Sequence, residues 1–284
     1  MSGGIVLLTT EQKQHYLEEG YVVLEDFVTD HWLKQLNQVT AEFIDQSRSV
    51  TASNRQFDVE PNHSSCEPRL RRLNSPVDQH STFWEFASQS EIVDLAEALL
   101  GPDIKFHHGK LNFKWAHGGE AVKWHQDIQF WPHTNYDLLT IGVYLEDVIH
   151  GQGEMGFVPR SHLSDLYDQY DGERWTGHIK DADIPSLHAE NAVFPVGRAG
   201  TVTIHNCRTV HGSLPNLSDK KRPLLLQTYA AADAFAYTDL VRKQPHGEML
   251  IRGKAAKWAR HDPRPCQVPP TKVGTIFQAQ QQEM

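Results

Sequence analysis

The sequence predicts a mainly β protein with flanking helices, its strands closed into a barrel or folded as two facing sheets. Three observations lead there. Short runs rich in β-branched and aromatic residues recur after Pro102, at 104–115, 138–148, 156–159, 200–205 and 222–230. Gly, Pro and Asp turns separate them. No helices intervene at the rhythm of βαβ units, which a parallel sheet requires. A length of 284 residues suits one large β domain. We divide it into helical N-terminal support (1–101), a β core (102–236) interrupted by an insertion at 163–198, and a C-terminal wrap (237–284).

Taken in order, Thr10 is placed to cap a short helix over Glu11–Glu19 that ends at Gly20. Tyr21-Val22-Val23-Leu24 then reads as a strand. Asp30 is placed to cap a second helix running to about Asp45, with Trp32, Leu33, Leu36, Val39, Phe43 and Ile44 at helical spacing for a core. Residues 47–82 are polar and broken by Pro61, Pro68 and Pro76, so they read as an irregular excursion. Within it Arg69, Arg71 and Arg72 form a small basic cluster. It reads as a solvated face from which one arginine could reach an anionic ligand. Ser90 opens a third helix, Glu91–Leu100, with Ile92, Leu95, Ala96 and Leu99 on one stripe and Gly101-Pro102 as its stop.

In the strand half, Leu139, Ile141, Val143 and Leu145 alternate onto one face, and the strand at Gly156 ends at Pro159. The insertion carries Tyr167, Tyr170, Trp175 and His178, and its length marks it as a lid, a binding loop or a disordered segment. From Tyr237 the chain is polar with scattered prolines and is expected to wrap the surface.

Composition narrows the function. Net charge is −9 and the longest basic block is Lys220-Lys221-Arg222, so no nucleic-acid partner is expected, since phosphate binding needs a basic face. Three cysteines without a C-x-x-C pair point to a reducing compartment. No apolar run reaches the roughly 18–20 residues of a membrane span, and Ile5–Leu8 is too short for a secretory signal. A cytoplasmic protein acting on a small molecule, with no membrane partner, is the expectation.

The chemistry centres on Lys123-Trp124-His125-Gln126-Asp127, with His211 and Arg222 downstream. His125 and Asp127 share the period-2 spacing of one strand face. With His211 they supply two imidazoles and one carboxylate, the ligand set of the facial triad that leaves positions open on non-haem Fe(II). A His-x-Asp pair alone is weak in a chain with 17 histidines. Arg222, eleven residues after His211, offers a planar cation for the carboxylate of a co-substrate. It shares strand parity with Leu224, Leu226 and Thr228, which aims it into a barrel.

Three motifs in order sharpen this reading: His125-Gln126-Asp127, the Pro159-Arg160-Ser161-His162 turn, and the string from His211 through Ser213, Asn216 and Ser218 to Arg222-Pro223. With them the chain resembles the phytanoyl-CoA dioxygenase family of Fe(II)/2-oxoglutarate oxygenases. The resemblance implies a double-stranded β-helix (jelly-roll, cupin-like) core. It implies iron on His125, Asp127 and His211 as the catalytic residues, and 2-oxoglutarate chelating that iron with its distal carboxylate on Arg222 and Ser213. O2 would be the oxidant and ascorbate a candidate reductant, with hydroxylation of an unactivated C–H of a small organic substrate and release of succinate and CO2. Relatives with Ala or Gly in place of the carboxylate halogenate, so Asp127 favours hydroxylation. Desaturation, epimerisation or cyclisation at the same centre is the alternative, as is a non-catalytic metal-binding jelly roll.

Further candidates surround the motif. Asn112 and Lys110 share one strand face and are placed to touch 2-oxoglutarate. His107 and His108, being adjacent, should face opposite ways, and read as hydrogen-bonded structural histidines before pocket-lining ones. Trp124, Gln129, Phe130 and Trp131 are candidate substrate walls or simply core, Cys207 shares parity with His211 and reads as packed core, and His162 belongs to its turn. Trp131, Tyr170 and Trp175 could form an aromatic cage for a cation. Substrate identity and oligomeric state are not legible.

Overall fold

Thr9, one residue before the expected cap, starts the first helix. Its hydroxyl accepts from the Gln12 amide at 3.1 Å while the Gln12 side chain accepts from the Thr9 amide at 2.8 Å, so two otherwise orphaned donors are satisfied. Helix α1 (Thr10–Glu19) closes at Gly20, whose φ of 83° turns the chain through the left-handed region. In this computed structural model, which describes residues 8–239, 244–271 and 276–281, strand β1 (Tyr21–Leu24) and helix α2 (Asp30–Gln46) follow, the latter capped by Thr29 rather than Asp30.

Residues 47–82 are not the irregular excursion expected. They hold β2 (Phe57–Val59), β3 (Leu70–Asn74), α3 (Pro76–Gln79) and the start of α4 (Ser81–Gln89). Pro76 opens α3, where a missing N–H is harmless. Buried Phe57, Leu70 and Leu73 supply the apolar residues that hold the hairpin to the core. Helix α5 (Glu91–Leu100) forms as expected, although the Ser90 hydroxyl donates back to the Phe86 carbonyl (2.5 Å) instead of capping it.

The strand half contains β4 (Ile104–Lys114), β5 (Val122–His125), β6 (Leu138–Tyr144), β7 (Met155–Phe157), the short pair β8 (Tyr170–Asp171) and β9 (Arg174–Trp175), β10 (Val202–Asn206), β11 (His211–Ser213), β12 (Arg222–Ala231) and β13 (Leu250–Arg252), with helix α6 (Ile276–Gln281) last. They form a large sheet in the order β1-β10-β6-β12-β4-β3-β2, with β13 beside β4, and a small sheet β5-β11-β7. All named pairings are antiparallel. Met155 and Phe157 of the small sheet pack on Tyr21, Tyr144, Leu224 and Leu226 of the large one. The two sheets are thus the halves of a jelly roll.

Period-2 alternation decides what each face does. Leu139, Ile141, Val143, Val202, Ile204 and Leu225 enter the main core with Leu36, Phe43, Phe83, Phe86, Ile92 and Leu95 of the helices. Each fully buried side chain of this kind contributes about 1.5–3 kcal/mol relative to exposure. The alternate residues, Thr140, Thr203, His205 and Thr228, are buried as well and belong to the face between the sheets. The C-terminal segment does more than wrap the surface. β13 extends the large sheet, and Phe277 of α6 is buried against the guanidinium groups of Arg71 and Arg72 at 5.2 and 4.9 Å. Among the described residues no helix is long and apolar enough to cross a membrane.

Candidate active site

Pairing of β5 with β11 sets His211 directly opposite His125. β5 ends at His125, and Asp127 begins a single 3₁₀ turn, Asp127–Gln129, so the carboxylate is presented by a turn rather than by continued strand. Asp127 Oδ1 lies 3.8 Å from Nε2 of both His125 and His211. All three donor atoms fall within 4.8 Å of one another and all three residues are buried. Gln126, between His125 and Asp127, points away. Its amide donates to the Arg208 carbonyl (2.7 Å) and accepts from the Tyr167 amide (3.0 Å), tying the 163–198 insertion to the site.

The rings are held in a defined tautomer. His125 Nδ1 donates to the Lys123 carbonyl and His211 Nδ1 to the Thr209 carbonyl, each at 2.9 Å. A carbonyl only accepts, so in each neutral ring Nε2 keeps its lone pair. Burial pushes His125 down to about 4 against the opposing pull of Asp127, and pushes His211 well below the usual histidine range with His125 and His205 adding to the effect. Burial would raise the Asp127 carboxyl, but Lys110, then His211 and His205, more than offset it and hold it well below the usual carboxylate range. Two lone pairs and a carboxylate oxygen therefore face one another without a proton between them. That arrangement calls for a cation, and an N2O donor set without thiolate suits Fe(II).

Two residues around Asp127 were not singled out by the sequence. The Thr140 hydroxyl donates to Oδ2 at 3.2 Å, and His205 Nε2 lies 3.5 Å from the same oxygen. The available signal was a polar residue on the inward parity of an apolar strand, Thr140 between Leu139 and Ile141, and His205 after Ile204.

Two cavities meet at the triad. The smaller, about 50 Å³, is lined by His125, His211, Ser213, Arg222, Asn112 and Lys114. Arg222 is buried, its Nη2 donates to the Gly153 carbonyl at 2.6 Å, and its Nε has no partner. Burial lowers its guanidinium to about 10, so it stays cationic at neutral pH. The larger cavity, about 740 Å³, is bounded by Arg55, Arg72, His108, Lys110, Asp127 and Trp131. Arg72 and Lys110 border both cavities. Arg72 Nε donates to Asn112 Oδ1 at 2.8 Å, its buried Nη2 is unpartnered, and burial lowers it to about 10. Burial also lowers Lys110, opposed by Asp127. In a chain of net charge −9, the junction beside the triad is cationic.

The remaining candidates separate. Phe130 and Trp131 line the larger cavity, whereas Gln129 turns its amide to the Tyr167 carbonyl (2.5 Å) and Trp124 packs beside Val158 and Ile179. Cys207 is packed core with Ile128 and Tyr136. His162 lies in its turn and bonds the Leu17 carbonyl at 3.1 Å. The aromatic cage does not assemble. Tyr170 and Trp175 pack edge to face at 5.2 Å, while Trp131 packs on His107 at 4.8 Å. His107 and His108 do not face opposite ways, because the register of β4 against β12 shifts there and their rings meet at 4.8 Å.

Known proteins share this arrangement of chain. Residues 16–224 match the family model of phytanoyl-CoA dioxygenase. A probable alpha-ketoglutarate-dependent hypophosphite dioxygenase of Stutzerimonas stutzeri is 32% identical over 265 residues, covering 91% of each chain. An ectoine dioxygenase of Sphingopyxis alaskensis is 22% identical over 79% of this chain and 76% of its own. The crystal structure of EctD from S. alaskensis with bound Fe superposes with a TM-score of 0.70 at 20% identity, covering 95% of this chain and 90% of that one.

Proposed function

This chain belongs to the phytanoyl-CoA dioxygenase family and is an iron- and 2-oxoglutarate-dependent dioxygenase, and from that premise we propose that it oxygenates a small anionic substrate. The observation that carries the substrate class is the pair Arg72 and Lys110 at the junction of the two cavities, with an unpartnered guanidinium nitrogen beside the triad. Desolvation outweighs the pull of Asp127 on both cations and of Asp58 on Arg72, which favours a ligand that brings further negative charge.

In this reading His125, Asp127 and His211 hold the metal, with Thr140 and His205 fixing the Asp127 carboxylate. Arg222 binds the distal carboxylate of 2-oxoglutarate in the smaller cavity, with Ser213 and Asn112 as further contacts. Iron bound there supplies oxygen activation coupled to the conversion of 2-oxoglutarate to succinate and CO2. Phe130 and Trp131 wall the larger cavity and restrict water. The relative from Stutzerimonas bears the name of a hypophosphite dioxygenase, which supports an oxyanion. A cavity of about 740 Å³ has room for more than that ion, so we favour a molecule carrying a compact phosphinate, phosphonate or carboxylate group, hydroxylated near it.

The test is succinate formation against a panel of small anions, neutral analogues and cations. The anions should accelerate it over the rate without substrate. Lys110→Met and Arg72→Gln should each raise the anion KM by about tenfold or more, the scale of one lost charge-assisted hydrogen bond. Turnover of neutral or cationic compounds in preference to anions would overturn the proposed substrate class.

A further inference from the structure

A second cluster of metal-ligating side chains lies apart from the triad. His107 of β4, His133 and Glu248 bring two imidazole nitrogens and a carboxylate oxygen within 4.8 Å of one another, as compact as the first set. His107 and His133 are almost fully buried, and the Glu248 side chain is 18% exposed. Nε2 of His107, Nε2 of His133 and Oε1 of Glu248 are all buried and all lack a hydrogen-bond partner. Three orphaned polar atoms in one place are costly unless something satisfies them together.

The tautomers show what that is. His133 Nδ1 donates to the Trp131 carbonyl at 2.7 Å. This is the same bond, to the carbonyl two residues earlier, that orients His125 and His211. It leaves the lone pair of Nε2 directed at Glu248 Oε1, 4.0 Å away. His107 Nδ1 is 2.6 Å from His108 Nδ1. When His107 is the donor in that bond, its Nε2 is also free to ligate. The other carboxylate oxygen, Oε2, is taken by Lys105, which fixes the carboxylate edge and leaves Oε1 facing the histidines.

The backbone is bent to build this group. The register shift in β12–β4 passes from Thr228↔His108 to Tyr229↔Phe106, so His107 is the extra residue of a bulge and its ring turns to the same side as that of His108. Glu248 sits at a φ of 66°, a left-handed conformation uncommon for a residue with a side chain, and its amide is tied to the Phe106 carbonyl at 2.9 Å.

We propose that His107, His133 and Glu248 form a second metal site for a divalent first-row transition ion, with the same two-nitrogen, one-oxygen donor set as the first group. Two imidazoles and one glutamate without thiolate match three-ligand zinc sites. The ion would clamp the segment around Glu248 and the loop at His133 onto β4. Binding also selects one tautomer of His107. Its Nδ1–H then donates to His108, so His108 keeps its proton on Nε2 as a donor at the wall of the larger cavity. That consequence for substrate rests on the cavity reading above; the site itself does not.

The test is metal stoichiometry. Chelator-treated protein is saturated with Zn(II) or Co(II), desalted, and analysed for bound metal. Wild type should hold two equivalents, His211→Ala one, and the double variant His211→Ala/Glu248→Gln none. Glu248→Gln alone should hold one, and should retain the visible band of the anaerobic Fe(II)–2-oxoglutarate chelate. A wild type that saturates at one equivalent, with none in His211→Ala, would mean that a proton on His133 satisfies the group instead. Retention of the ion by the double variant would equally sink the assignment. A failed anion panel leaves these counts unchanged, so the two readings fail separately.

Discussion

At Asp127 the proposed metal site involves atoms beyond the three candidate ligands. One carboxylate oxygen faces the two imidazoles, and the other is held by Thr140 at 3.2 Å with His205 at 3.5 Å. Removing such outer partners typically costs 10–100-fold in metal affinity. Thr140→Val and His205→Phe should therefore weaken Fe(II) binding by about that factor with the triad intact, measured by anaerobic titration; unchanged affinity would make both residues mere packing. Arg222 poses a sharper case, since its buried guanidinium has one nitrogen on Gly153 and another unpartnered. Arg222→Ala should weaken 2-oxoglutarate by about 2–5 kcal/mol, read as a rise in KM for the co-substrate. That His125, Asp127, His211 and Arg222 gather at one place was legible in the sequence because each sits in a short motif. The structure does bring the donor atoms of the first three within 4.8 Å of one another, with Arg222 lining the adjoining cavity. His205 and Thr140 were not legible, because what makes them partners of Asp127 is the register of β10 on β6, which no local pattern encodes.

Element by element, helices α1, α2 and α5 and the longer strands followed from hydrophobic period and stop signals. The expected caps Thr10, Asp30 and Ser90 do not cap them, however, and α3, α4 and α6 were not predicted. The hairpin of β2 and β3 was hidden by Pro61 and Pro68 flanking short strands whose sequence, such as Leu70-Arg71-Arg72-Leu73, mixes charge with apolar residues. Its arginines are drawn inward because β3 pairs with β4, setting Arg72 opposite Asn112. Helix α6 escaped notice because six residues carry little periodic signal. Yet Phe277 covers the arginines, and the Gln280 side chain binds the Lys123 amide (3.0 Å) and the Gly177 carbonyl (2.9 Å), docking the helix beside β5. Phe277→Ala should open the junction of the two cavities to water. The expected result is a higher ratio of succinate to oxidised substrate, with a much smaller loss of global stability than the about 3–5 kcal/mol typical of a core Phe, because the helix is only six residues long. Tightly coupled turnover in that variant would show that α6 does not seal the site.

Over the whole molecule, the buried imidazoles make stability depend on pH in a direction that follows from their shifts. Burial, with Lys110 adding to it, holds His108 at about 3, burial holds His125 at about 4, and His107 and His211 lie well below the usual range. In the unfolded chain each titrates near its ordinary value of about 6.5. Above that pH both states are neutral and these groups contribute no pH dependence. Below it the unfolded state takes up protons that the folded state refuses, so stability falls as pH drops from about 6.5 toward about 4, by up to about 1.4 kcal/mol per pH unit for each such group. Chemical denaturation of the metal-free protein at pH 7.5, 6 and 5 should show this decline. Replacing His125 by Asn should flatten it by roughly one group's share. Fe(II) held by His125 and His211 would meet imidazoles that stay neutral in the folded form down to about pH 4. Its added stabilisation should therefore be nearly the same at pH 7.5 and pH 5, and shrink only as the pH approaches about 4, where protons begin to compete for the His125 lone pair. A metal-dependent gain that already falls between pH 7.5 and pH 5, in step with ordinary histidine titration near about 6.5, would mean that the bound ion does not rest on His125 and His211.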